Sequence, residues 1–325
     1  MLTAGITVRD VRRSFGRVEA VRGVDLDARA GAVTGLVGPN GAGKTTLLLM
    51  LASLLQPDAG SIRIAGVDPV TDPAQARARL GWMPDALGAW GSLTVRETLE
   101  MTARLYDLDR AAAARRAREL LDQVGLVDLA ESPARVLSRG QKQRLGLARA
   151  LVHDPSVLLL DEPASGLDPQ ARVDLRGLLR AFAAAGKTVL ISSHILSELE
   201  EVVDDAVFLL DGATVSPDRV AAAARRTRTW RVRVADLDAQ AAVLPIATAL
   251  GLDVARVPTD RRDVLIPFSS EIEAAAGLRA LLSAGIAVAE FSAATGMLEH
   301  TFLDLGTGRD LGAGRDLGTE GKEAS

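Results

Sequence analysis

Eight consecutive residues, Gly38-Pro39-Asn40-Gly41-Ala42-Gly43-Lys44-Thr45, carry the densest chemical signal in this chain. Glycines at this spacing let successive backbone N–H groups turn inward around an anion, and a lysine at the end of the loop reaches the outer phosphates of a nucleotide. The Thr45 hydroxyl is then placed to ligate Mg²⁺. A second signal is Asp161-Glu162 at the end of the apolar run Val157 to Leu160. Asp161 suits a metal held through water, and Glu162 suits the orientation and deprotonation of an attacking water. His194, about 30 residues further on, is the candidate sensor of a γ-phosphate.

These residues need strand ends to hold them. Ala32 to Val37 reads as an apolar strand feeding the glycine loop, and a helix follows it. Val157 to Leu160 and Thr188 to Ser193 read as buried strands, each ending in a candidate catalytic group. Residues 1 to about 70 read as short strands with turns. Leu93 to Tyr106, Arg110 to Val124 and Gly140 to His153 read as helices, as does Gln170 to Ala185. Strands alternating with helices predict an α/β fold with a mainly parallel core sheet.

The chain has 325 residues, with 48% hydrophobic and 25% charged, and suits one large domain plus a smaller one. We expect a domain over 1–220 with a helical subdomain near 86–150, a small α/β domain over 221–304, and a disordered tail over 305–325. In the second domain the predicted elements are strands Trp230 to Val234, Asp263 to Phe268 and Ile286 to Phe291, with helices Ala239 to Gly251 and Ser270 to Ala284. The tail prediction rests on a short local repeat, LGTGRD then LGAGRD. A net charge of −4 argues against a broad nucleic-acid footprint, and no nucleic-acid partner is expected. The absence of cysteine excludes thiol catalysis, thiolate zinc sites and disulfides. No stretch approaches the roughly 18 apolar residues of a membrane span, and Met1 to Asp10 lacks a signal-peptide layout.

Between the two phosphate-chemistry elements lies Leu137-Ser138-Arg139-Gly140-Gln141. With it, the set over about residues 3 to 220 resembles the nucleotide-binding domain of ATP-binding-cassette (ABC) transporters. The matching segments are GPNGAGKTT (through Thr46), LSRGQKQR, VLLLDEP, SGLDP (Ser165 to Pro169) and ISSH. The resemblance implies a P-loop NTPase fold with an N-terminal antiparallel β subdomain. It also implies ATP and Mg²⁺ as cofactors, and a homodimer in which two chains sandwich ATP head to tail. Ser138, Gly140 and Gln141 would contact the ATP on the partner's Lys44 loop, and Phe15 would stack on adenine. Arg139 replaces the first glycine of the usual LSGGQ. The resemblance leaves the main phosphate contacts on either side of it, and its charge adds to the field there. Asp85 stands where many relatives have glutamine. Either it approaches Mg²⁺ or its waters, or it is a loop acid without a catalytic part, because an ionised aspartate only accepts hydrogen bonds.

The loop from Asp85 to Thr94 resembles the region that meets a membrane subunit, and Trp82 and Trp90 are candidates for that surface or for the core. Residues Leu298 to Leu305, LEHTFLDL, are similar to the tail of multidrug-type exporter ATPases. The resemblance therefore implies the ATPase of an exporter, acting with separate transmembrane permease subunits at the cytoplasmic side of the membrane. The competing readings are a soluble ABC ATPase acting on ribosomes or nucleic acid, and an importer ATPase. The arginine cluster from Arg225 to Arg233 faces either anionic lipid or solvent.

Overall fold

A computed structural model describes residues 4–85, 92–235, 240–249, 259–260 and 263–307. The chain divides into two compact units, Met1–Val215 and Ser216–Ser325.

In the first unit, β1 (Ala4–Phe15) and β2 (Val18–Arg29) form an antiparallel pair. The sequence predicts short strands here, yet each runs twelve residues. In β2, Val21, Val24, Leu26 and Ala28 are buried between exposed charged residues. The break in period two between Val21 and Val24 is absorbed by register shifts on both strands, with Asp10 at φ 44°. Paired bulges of this kind let a strand continue instead of ending.

The wholly buried β3 (Val33–Val37) runs into the glycine loop, and α1 (Lys44–Leu51) starts directly after it. Leu47 and Leu48 of α1 are fully buried, each contributing roughly 1.5–3 kcal/mol that anchors the helix beneath the loop. The strand β4 (Ala59–Ile64) returns to pair with β1. Next come α2 (Pro73–Arg79) and β5 (Leu80–Met83), then the helical stretch of α3 (Val95–Leu105), α4 (Arg110–Gln123) and α5 (Arg139–Ala150). Thr94, Asp109 and Ser138 cap these three helices. Because Ser138 is the cap, α5 begins one residue before its predicted start.

The unit closes with β6 (Val157–Asp161), α6 (Pro169–Ala184), β7 (Thr188–Ser192), α7 (Leu196–Glu200), β8 (Asp205–Leu210) and β9 (Ala213–Thr214). Strand order is β4-β1-β2-β9-β8-β3-β7-β6-β5. The run β8-β3-β7-β6-β5 is parallel throughout. The segments after β3, β6 and β7 therefore leave from the same edge, where open α/β sheets bind ligands. Trp82 is partly buried against the main core, and Trp90 lies outside the described residues.

The second unit contains α8 (Pro217–Ala224), β10 (Arg228–Val234), α9 (Gln240–Ala249), β11 (Thr259–Asp260), β12 (Asp263–Phe268), α10 (Glu271–Ser283), β13 (Val288–Ala293) and α11 (Met297–Thr307). The strands pair antiparallel in the order β11-β12-β10-β13, a split β-α-β arrangement. Val232, Val264, Ile266, Phe268 and Leu281 form its core. Gly277 leaves room for the Phe268 ring, since a Cβ there would lie 2.5 Å from Cζ. The strand predicted at Ile286 starts at Val288 instead. The Ile286 N–H bonds to the Leu281 carbonyl as α10 terminates through Gly285, at φ 79°. Several arginines of the predicted surface cluster are tied down: Arg233 pairs with Asp263 and Glu290, and Arg228 donates to the Thr295 carbonyl. The predicted tail begins at 305; α11 covers its first three residues, and 308–325 lie outside the described residues.

Candidate functional site

The glycine loop is shaped by steric exclusion. A Cβ on Gly38 would lie 2.5 Å from the Leu209 carbonyl oxygen, and one on Gly43 would lie 2.5 Å from that of Ala20. Gly41 and Gly43 also have φ of 81° and 94°, a region that disfavours other residues. The loop therefore closes down tightly enough for its backbone to approach a ligand. The Ala42 N–H donates to the Pro39 carbonyl across the turn, at 3.2 Å. Lys44 folds back over the loop, its Nζ donating to the Gly38 carbonyl at 2.6 Å and the Pro39 carbonyl at 3.1 Å. Burial holds the Lys44 ammonium below its ordinary value, opposed by Glu162 and Asp161.

Across from it stand the ends of β6 and β7. Ser192 donates its hydroxyl to Asp161 Oδ1 at 2.5 Å, and Thr45 Oγ1 lies 3.5 Å from Asp161 Oδ2. Burial raises the Asp161 carboxyl above the usual range. The Ser192 hydrogen bond and Lys44 oppose that rise, while Glu162 and Asp85 add to it. Glu162 adopts φ 51°, and its N–H donates to the Ser192 carbonyl and hydroxyl, each at 3.2 Å. Its Oε2 sits 2.7 Å from His194 Nδ1.

Together these groups line a cleft of about 510 Å³, within the range of small-molecule sites. Its walls include Phe15, Asn40, Gly41, Gly43, Lys44, Thr45, Thr46, Asp85, Asp161, Glu162 and His194. Phe15 forms one lip, 48% exposed, with the Arg13 guanidinium 5.0 Å from its ring centroid. Gly38, Pro39 and Ala42 shape the loop beneath. Asp85 contributes its carbonyl to Gln143 Nε2, at 3.3 Å, while its carboxylate lies close enough to disfavour ionisation of Asp161.

Ser138, Gly140 and Gln141 are not in this cleft. They line a separate depression with Gly125, Leu126, Leu129 and Asp168. There a capping box fixes them: Gln141 N–H donates to Ser138 Oγ at 3.3 Å, and Ser138 N–H donates to Gln141 Oε1 at 2.9 Å. Ser138 and Arg139, at the start of α5 where the helix presents its positive end, are exposed. Arg139 departs from its neighbours. Its side chain lines the Lys44 cleft as well as the depression, and Nη2 donates to Ser165 Oγ at 2.5 Å.

Sequence reasoning missed Ser192 and the link between Arg139 and Ser165. Ser192, the last residue of β7, was visible as part of ISSH, but its contact with Asp161 depends on β6 and β7 being neighbours.

Comparison with known proteins gives a consistent result. The family model described as ABC transporter matches residues 21–165. The daunorubicin resistance ATP-binding protein DrrA3 of Streptomyces coeruleorubidus is 36% identical over 311 residues, covering 94% of this chain and 96% of that one. The Nod factor export ATP-binding protein I of Burkholderia lata is 42% identical over 217 residues, covering 66% of this chain and 71% of that one. Among solved structures, an ATP-binding subunit of an ABC transporter matches with TM-score 0.61 and 29% identity, covering 67% of this chain and 92% of that one. The cassette MJ0796, solved as a dimer with ADP and Pi, shares the fold at TM-score 0.60 and 24% identity, over 65% of this chain and 97% of that one.

Proposed function

The chain belongs to the ABC transporter ATP-binding family and is an ATPase, and from that premise we propose that it drives an exporter as a head-to-tail dimer beneath separate membrane subunits. One observation carries the reading. Lys44, Asp161, Glu162 and His194 converge on one cleft, while Ser138, Gly140 and Gln141 face outward from another surface. One chain then supplies two half-sites that a second copy completes.

In this mechanism the loop N–H groups and the start of α1 hold the phosphates. Lys44 exchanges its Gly38 and Pro39 carbonyl partners for phosphate oxygens. Glu162 accepts the proton of the attacking water, and His194 braces that carboxylate and meets the γ-phosphate. Phe15 stacks on the adenine. Thr45 and Asp161 fit Mg²⁺: both offer hard oxygen donors, and a cation would offset the burial that disfavours the Asp161 charge. Bound there with the phosphates, the ion would neutralise charge developing on them. Asp85 joins Asp161 on that side of the cleft.

Correspondence along nearly the whole chain with a relative named for drug resistance, and similarity to one named for export, support the exporter branch over an importer or a nucleic-acid-directed ATPase. The first unit is then the nucleotide-binding domain and the second an accessory domain. No helix among the described residues is long and apolar enough to cross a membrane; the placement at the cytoplasmic face, through separate membrane partners, rests on the family reading.

Glu162→Gln tests the chemistry. The variant is expected to bind ATP, lose turnover by about 10²–10⁴-fold, and accumulate as an ATP-bound dimer on size-exclusion chromatography. Wild-type turnover would remove Glu162 from the mechanism.

A further inference from the structure

Arg139 is the first helical residue of α5, and its stem crosses Gly166. A Cβ on Gly166 would lie 2.6 Å from Arg139 Cδ and 2.8 Å from Cγ, and Gly166 has φ 75°. The positive φ favours glycine there, and the absence of a Cβ lets the Arg139 stem pack directly on it. Beyond this crossing, Nη2 donates to Ser165 Oγ. The Ser165 N–H in turn donates to the Glu162 carbonyl at 3.0 Å, closing the turn that follows the residue facing His194. Two hydrogen bonds therefore run from the first turn of α5 to the backbone of Glu162.

Glu162 holds a positive φ that few residues adopt, and such a conformation persists only where its surroundings fix it. Its N–H is fixed by Ser192 on the β7 side. On the other side the turn through Ser165 is held by Arg139, and a glycine at 139 would leave that hydroxyl without this donor.

We propose that Arg139 is a positioning residue, joining the partner-facing start of α5 to the Glu162 carboxylate of the same chain through Ser165. The inference rests on the ATPase reading of the cleft and deepens it by naming a regulatory connection within one chain. Engagement of the partner's phosphates at Ser138 and Gly140 would move the first turn of α5, and Arg139 would carry that movement to the Glu162–Ser165 turn. The water-activating carboxylate is then set for hydrolysis only when the same chain has engaged its partner.

The test is a double-mutant cycle in the full chain with Arg139→Gly, Ser165→Ala, and both together, following ATP turnover. Ser165→Ala removes only a hydroxyl, so the link is broken in a second way that leaves the α5 surface intact. Each single change is expected to lower kcat by about tenfold with KM for ATP within about twofold, as for a misplaced catalytic group. The double change is expected to be no worse than either single one, because both remove one interaction. Losses that multiply in the double variant would overturn the proposal. So would a rise in KM at unchanged kcat, which would mark Arg139 as a direct phosphate ligand. Glu162→Gln run alongside separates the two readings. If it retains turnover, the site itself has been misread; if it is inactive while Arg139→Gly matches wild type, only this connection fails.

Discussion

Asp161 sits where folding and chemistry pull in opposite directions. It is nearly buried, at 5% exposure, and its neighbours include Glu162 and Asp85, so its ionised form is disfavoured in the folded chain. A carboxyl raised above its unfolded value contributes stability fully below the unfolded range and loses it as pH rises through the folded value. In the nucleotide-free protein, ionising Asp161 therefore works against the fold. Asp161→Asn is expected to raise the thermal midpoint of the nucleotide-free protein at neutral pH. The gain should shrink as pH is lowered toward the ordinary carboxylate range, and ATP turnover should be lost. A lower midpoint for the variant at neutral pH would show that the Ser192 hydrogen bond outweighs the burial. Much of this residue's setting is legible in sequence, since an acid after four apolar residues must sit at a buried strand end. Ser192 is not, because it meets Asp161 across 31 residues of chain, through strand adjacency.

At the scale of elements, α5 has two separable duties. Its cap stabilises the helix, and its outward N-terminus is proposed to meet a phosphate. Ser138→Asp separates them. Aspartate is as good a cap as serine, so stability should change by less than about 0.5 kcal/mol in denaturant unfolding. A negative charge facing phosphate should still abolish ATP-dependent dimerisation. Dimerisation at wild-type ATP concentrations would contradict the proposed contact. Ser138 and Gln141 have the spacing of a capping box, but the sequence reading placed the helix start at Gly140 and did not identify the cap. What sequence could not give was the path of Arg139. A side chain at the first helical position can point toward the partner or back over its own chain, and the small profile of Gly166 decides between them. The long β1 and β2 strands escaped for a related reason: paired bulges hide a continuous strand behind a broken alternation.

For the whole molecule, the central claim is that one chain holds two incomplete half-sites that face different ways. The chain lacks cysteine, so introduced thiols report on one geometry alone. Asn40 lines the Lys44 cleft and Ser138 the separate depression, and both are exposed. Chains carrying Glu162→Gln with Asn40→Cys can be mixed with tagged chains carrying Glu162→Gln with Ser138→Cys, then treated with a short bismaleimide with and without ATP and Mg²⁺. The account predicts a cross-link between unlike chains, dependent on ATP, and little between like chains. Cross-linking that ignores ATP, or that joins like chains as readily as unlike ones, would contradict the head-to-tail split site.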